Sequence, residues 1–274
     1  MKSWCATFSQ ASALAALLLL SCSLEPVVRT SELTPQPVTP TGTSRLAGSA
    51  IIVESQNVEP LTPGFRLLVW AVTESGTVVL GPLVPGNPAQ VKPATAGITL
   101  AEIDELLVTE EASTTELPTT PSQVVVLRGA VGGELVFGGT LRADDFAQAR
   151  GSLRIEDDRA EVSLRDLPAL PAGYQYSVWL QIDTAGKSHG HLSTSSGDHG
   201  GVGASPSGEL TLLGPLPDPR VPTRFDIGRT LYEARECWIT IESLRGVDAA
   251  STCTAMHGEV ELPELGEAAE GHLH

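Results

Sequence analysis

Aromatic residues make up only 4% of this chain, and basic residues are scarce. Lys and Arg together number 17 against 33 Asp and Glu, a formal charge of -16. A chain this acidic has no electrostatic footprint for nucleic acid or for anionic lipid headgroups. Few aromatics disfavour sugar stacking. Chemical signatures are missing too. The 274 residues contain no G-x-S-x-G elbow, no phosphate-binding loop and no G-x-G-x-x-G. They contain no Cys-x-x-Cys pair, which argues against thiol-redox catalysis. No apolar run reaches the roughly 20 residues that a membrane-spanning helix needs. What is present is globular in character, with 41% hydrophobic and 18% charged residues, and rich in turn formers, with 27 Gly and 20 Pro.

Residues 1–22 read as an export signal. Lys2 supplies a positive start and Ala11 to Leu20 an apolar stretch too short to span a bilayer. The stretch ends in Leu19-Leu-Ser-Cys22, which resembles a bacterial lipobox. Cys22 is therefore the expected lipid attachment site, and an ordinary signal peptide with an incidental Cys is the alternative. Lipidation ties a chain to a membrane without spanning it, which places the protein in the bacterial cell envelope. Residues 23–44 carry Pro26, Pro35, Pro37 and Pro40 among Ser and Thr. This composition predicts a disordered linker that holds the folded part away from the bilayer.

The rest of the chain repeats itself. Leu61-Thr-Pro-Gly-Phe-Arg-Leu-Leu-Val-Trp70 aligns with Leu170-Pro-Ala-Gly-Tyr-Gln-Tyr-Ser-Val-Trp179 at an offset of 109. Val108-Thr-Glu-Glu111 aligns with Ile239-Thr-Ile-Glu242 at 131, and Leu127-Arg-Gly129 with Met256-His-Gly258 at 129. Order is kept and the spacing grows once, across a Gly/Ser/His insertion at 184–208. Two related domains follow, at 45–132 and 133–262, with an acidic flexible tail at 263–274.

Within the copies the period is two. Ala160, Val162 and Leu164 alternate with polar residues, as do Tyr174, Tyr176, Val178 and Leu180. In the first copy, Phe65 to Val72 is apolar on both parities, which predicts a strand covered on both faces. Thr99-Leu-Ala-Glu102 has the form of a capping box, and Ala143 to Arg150 is a second candidate for a short helix. Many short strands with turn signals predict two tandem antiparallel β-sandwiches. Trp70 and Trp179 fall opposite the main alternating face and read as fillers of a second layer rather than as a ligand platform.

The run Asp166-Leu-Pro-Ala-Leu-Pro-Ala-Gly-Tyr-Gln-Tyr-Ser-Val-Trp-Leu180 resembles the extracytoplasmic domain of the anti-sigma-K factor (RskA) family. Val108-Thr-Glu-Glu111, followed by Pro118, Pro121 and Val124-Val-Val-Leu-Arg-Gly129, resembles the end of that domain. The resemblance covers most of 46–261 and implies the family's outer β domain, doubled. It does not extend to the spanning helix or the sigma-binding segment, so no hold on a sigma factor is implied.

Few residues suggest chemistry. Cys237 and Cys253, exported to an oxidising compartment, are expected to form a disulfide; two buried thiols are the alternative. His189 and His191 share one side of an extended segment and, with His199, could ligate Cu or Zn; a flexible surface loop is the alternative. His257 beside Met256 would suit copper. Asp144-Asp145 and Asp157-Asp158 read as turn residues. No cofactor is implied. The function expected is a non-enzymatic, lipid-anchored module that binds an envelope protein partner or senses the envelope, and a metal-binding lipoprotein is the second reading.

Overall fold

The computed structural model describes residues 28–58, 61–182, 210–227, 234–245 and 250–261. It is all-β, as expected. Sixteen strands run in order: β1 (Val28–Pro35), β2 (Thr41–Ala47), β3 (Ala50–Gln56), β4 (Phe65–Thr73), β5 (Gly76–Leu83), β6 (Ala89–Val91), β7 (Glu105–Ala112), β8 (Val125–Gly129) and β9 (Glu134–Phe137), then β10 (Arg150–Glu156), β11 (Arg159–Arg165), β12 (Tyr174–Ile182), β13 (Leu210–Leu216), β14 (Thr223–Asp226), β15 (Ala234–Ser243) and β16 (Thr254–Glu259). No helix among the described residues is long and apolar enough to cross a membrane.

The strands form two eight-stranded antiparallel sheets. One has the order β5-β4-β7-β8-β9-β2-β3-β6 and the other β13-β12-β15-β16-β1-β10-β11-β14. The two orders match position by position, so the sequence repeat is a structural one. Each sheet curls into a barrel-like sandwich in which the two end strands approach. A Cβ on Gly81 of β5 would lie 3.4 Å from Val91 of β6, and one on Gly214 of β13 would lie 3.2 Å from Phe225 of β14. Both glycines have positive φ, 155° and 150°, and each adjoins a bulge in its own strand, where Leu80 or Leu213 is the extra residue opposite Val69/Trp70 or Val178/Trp179. The period-two residues fill the cores: Ile51, Val53, Leu67, Val69 and Leu106 in domain 1, and Leu153, Val162, Val178, Leu180 and Ile239 in domain 2.

The expected domain bounds change in two places, and this alters the architecture: β9 lies in the sheet of domain 1 rather than in domain 2, and the expected linker is folded from Val28. Residues 28–44 are not a linker. They supply β1 and the first part of β2. β1 enters domain 2, not domain 1, and pairs with β10 from Val28–Glu156 to Leu33–Gly151, then with β16 through Thr34–His257 and Pro35–Met256. It occupies the place that β9 holds in domain 1. There Leu135 faces Gly42 across the ladder; here Leu33 faces Gly151. The misreading has a physical reason. The inward residues of β1 are Arg29, Ser31 and Leu33, all buried, so only one of three is apolar and the hydrophobic alternation is lost. Arg29 donates Nη2 to the Ala234 carbonyl. The prolines fall at the strand's last residue and in the connection Gln36–Pro40, where a missing N–H does least harm.

The Leu-Pro-Ala-Leu-Pro-Ala-Gly run of copy two lies against domain 1. Pro171 packs where a Cβ on Gly138 would collide, and Gly173 (φ 89°) leaves room for Val124, 2.8 Å from where its Cβ would be. Tyr174 meets Phe137 edge-on at 4.7 Å. From domain 2, Arg245 donates to the Glu110 carbonyl at 2.9 Å and lies 5.4 Å over the Phe65 ring. Because Phe65 and Tyr174 are equivalent in the repeat, the two domains face each other through the same end. The opposite end of domain 2 carries Val28, the β10–β11 turn, and the ends of β12 and β13 at Ile182 and Leu210.

The expected short helices are 3-10 turns at Leu100–Glu102 and Ala143–Phe146. The first is capped as predicted, with Thr99 N and Oγ1 both donating to Glu102 at 2.6 and 2.7 Å. Asp145 caps the second by accepting from Arg142 N, and Asp157 takes a left-handed turn conformation at φ 53°.

Candidate functional site

Two buried polar networks lie at equivalent places in the two domains. In domain 1, β7 carries Thr109 and Glu111 on the same face. Trp70 Nε1 donates to Thr109 Oγ1 at 2.7 Å, Thr109 donates to Glu111 Oε1 at 2.6 Å, and Ser122 N donates to the same oxygen at 2.7 Å. In domain 2, Thr240 and Glu242 of β15 repeat the pattern. Glu242 Oε1 accepts from Trp179 Nε1 at 3.0 Å, from Thr240 Oγ1 and from Ser251 N at 3.1 Å. The following residues repeat as well: Ser122 Oγ accepts from Val124 N, and Ser251 Oγ from Cys253 N. The Thr-x-Glu landmark is therefore a latch that ties a tryptophan, the long β7 or β15, and the strand that follows. Its donors are neutral, and its members are buried except Ser122, which is half-buried. This is an anchoring role, and neither carboxylate faces solvent. Trp70 fills a second layer with Leu68 and Leu107, as expected.

A third cluster escaped the sequence. Trp238 and His257 stack at 4.0 Å on the outer face of domain 2, and Glu236 accepts from Trp238 Nε1 at 3.0 Å with His257 Nε2 3.4 Å away. The register Trp238–His257 brings them together. The pair Met256–His257 cannot share a metal. Met256 lies in the core, and its neighbour on the strand points to the other face.

The expected disulfide between Cys237 and Cys253 is not formed; both thiols are buried. Cys237 sits opposite Gly258, whereas the Cys253 carbonyl accepts from Ile241 N, four residues further along β15. At about 3.3 Å per residue the two are roughly 13 Å apart, well beyond disulfide reach. The hairpin register decides this, and a count of cysteines carries no register. Burial pushes the Cys237 thiol up to about 12 from 9.0. Its proton is retained in the folded state and lost on unfolding between those values, so its contribution to stability is full below pH 9 and declines as pH rises toward 12. We expect neither thiol to react with an alkylating reagent at pH 8 until the chain is unfolded, when both react. Mass mapping of alkylated peptides checks this; a linked Cys237–Cys253 peptide in the oxidised protein would contradict it.

Cys22, His189, His191 and His199 lie outside the described residues. Among the described residues, no group of three or more His, Cys, Asp or Glu is placed to hold a metal. A shallow cleft beside the β10–β11 turn is lined by Glu156, Asp158 and Glu161 together with Arg154, Arg159 and Arg224. Two of its carboxylates are engaged by arginine: Arg154–Glu156 at 2.9 Å and Arg224–Glu161 at 2.6 Å.

Comparison with protein-family models, with curated proteins and with solved structures gives no match, so the repeat within the chain is the relationship that these residues establish.

Proposed function

We propose that this chain is a non-enzymatic, lipid-anchored protein of the bacterial cell envelope, and that its doubled β domain binds an envelope protein partner or senses the envelope. The observation that carries the reading is the position of β1. The lipobox Cys22 stands six residues before Val28, the first residue of a strand built into domain 2. Six residues reach at most about 20 Å. Anchored this way, domain 2 lies against the bilayer with Val28 and the roots of the 183–209 segment on its membrane side. Domain 1 lies beyond it and is the half free to meet a partner. The earlier expectation of a spacer is replaced by direct seating of the fold on its anchor. The Leu-Pro-Ala-Leu-Pro-Ala-Gly run resembles the outer domain of the anti-sigma-K factor family, an extracytoplasmic β module. That resemblance implies a fold and no sigma-factor binding.

The test uses the full chain in a bacterial host that processes lipoproteins. Lipid-labelled, membrane-bound protein is expected, and Cys22→Ala should abolish the label and release the chain from membranes. Crosslinking in cells, followed by mass spectrometry, is expected to capture one dominant envelope protein with the wild type and not with Cys22→Ala. Absence of the lipid label would overturn the anchoring, and capture no different from that of Cys22→Ala would overturn the partner-binding reading.

A further inference from the structure

The groove between β10 and β16 differs from its counterpart in domain 1 in one respect: its strand comes from elsewhere. β9 follows β8 by a four-residue turn and cannot leave without unravelling that hairpin. β1 precedes β16 by more than two hundred residues and is joined to β2 through Gln36–Pro40. We propose that this groove is a strand-exchange site, which accepts β1 from a second copy of this chain as it accepts its own.

The groove is shaped for this sequence. Gly258 lies so close to the Glu32 carbonyl and Ser31 Oγ that any side chain there would collide with β1. Gly151 leaves room for Leu33, whose Cβ would be 3.2 Å from an added methyl. Leu33 enters the core, Ser31 passes over Gly258, and Arg29 reaches the Ala234 carbonyl. Main-chain pairing provides affinity and three alternate side chains provide selectivity, the pattern of strand addition to an open sheet. Beyond β1 the chain stays on the same edge, with Gln36 N donating to the Ala255 carbonyl at 3.1 Å and Val38 N to the Thr254 carbonyl at 2.9 Å. None of these contacts depends on which copy supplies the strand. The connection holds Pro37 and Pro40 in five residues, and short, stiff connections of this kind favour exchange between copies. In dilute solution the chain's own strand wins, because a short tether gives it a local concentration of about millimolar. Crowding, or folding at high concentration, shifts the balance to the partner.

The test is complementation between two full-length variants. Leu33→Asp spoils the donor strand and leaves the groove intact; Gly258→Val fills the groove and leaves the donor intact. Each alone is expected to be monomeric. Mixed and refolded together they should give a one-to-one heterodimer by light scattering, lost when the Gly258→Val chain also carries Leu33→Asp. A second measurement covers failure of the variants to hold domain 2. Wild type refolded from urea at about 1 mM should contain at least about tenfold more dimer than at about 1 µM, the tether's local concentration setting the scale. Monomers in both experiments, or a wild-type dimer that Leu33→Asp fails to block, overturn the proposal.

Discussion

Replacing Leu33 with aspartate is expected to open domain 2 while domain 1 stays folded. Leu33 is 1% exposed and belongs to the domain 2 core beside Leu153 and Leu164. Truncating a buried leucine costs about 2–5 kcal/mol, and a buried carboxylate adds its desolvation. The sum is of the same order as the whole stability of an ordinary domain, about 5–15 kcal/mol. Domain 1 keeps its own joining strand and its own core, so its transition should move little. Urea unfolding followed by hydrogen exchange, with peptides assigned to each domain, separates the two. The control is Thr43→Gln, an exposed position on β2, which should shift neither by more than about 0.5 kcal/mol. If residues 28–44 were only a spacer, Leu33→Asp would be equally silent.

The second large effect is expected at the Thr-x-Glu latches. Glu242→Leu removes the acceptor of Trp179 Nε1, Thr240 Oγ1 and Ser251 N together. A buried donor left without a partner costs about 1–3 kcal/mol, and the three act as one network rather than additively. A loss of about 3–5 kcal/mol in domain 2 follows. Glu242→Gln keeps an acceptor oxygen and should lose less than half of that. The two domains also predict a difference. Trp70 donates to Thr109, whereas Trp179 donates to Glu242 itself. Thr109→Val should therefore orphan a tryptophan and cost more than Thr240→Val. Denaturant midpoints for the four variants check the order, and equal costs for the two threonine variants would contradict the wiring described.

The repeat was legible because it is carried by residues with strict geometric duties. Trp70 and Trp179 mark the bulges, and Thr109–Glu111 and Thr240–Glu242 mark the latches. Gly129 and Gly258 mark the close approach of the strand that joins the two halves of each sheet, since a Cβ on Gly129 would collide with the Glu134 carbonyl as one on Gly258 would with that of Glu32. Both-sided covering of β4 was readable from Leu67, Leu68, Val69, Trp70 and Ala71, all buried. The joining strand of domain 2 was not readable from hydropathy, because Arg29 and Ser31 take inward places. A signal did exist. Ser31-Glu-Leu-Thr34 and Gly133-Glu-Leu-Val136 occupy equivalent positions and share Glu-Leu, but β1 lies outside the repeat's order, at the wrong end of the chain. The cysteine pairing failed for a related reason. Register within the β15–β16 hairpin separates Cys237 from Cys253, and no composition rule sees register. The cluster of Glu236, Trp238 and His257 likewise needs the cross-strand pairing of β15 with β16.

Native-state hydrogen exchange of the full chain, read at residues 28–38, tests the central claim most directly. If β1 is a structural strand of domain 2, these amides are protected to the same free energy as those of β10 and β16 and open with them in one unit. Exchange of residues 28–38 at the rate of an unstructured peptide, with β10 and β16 still protected, would contradict it.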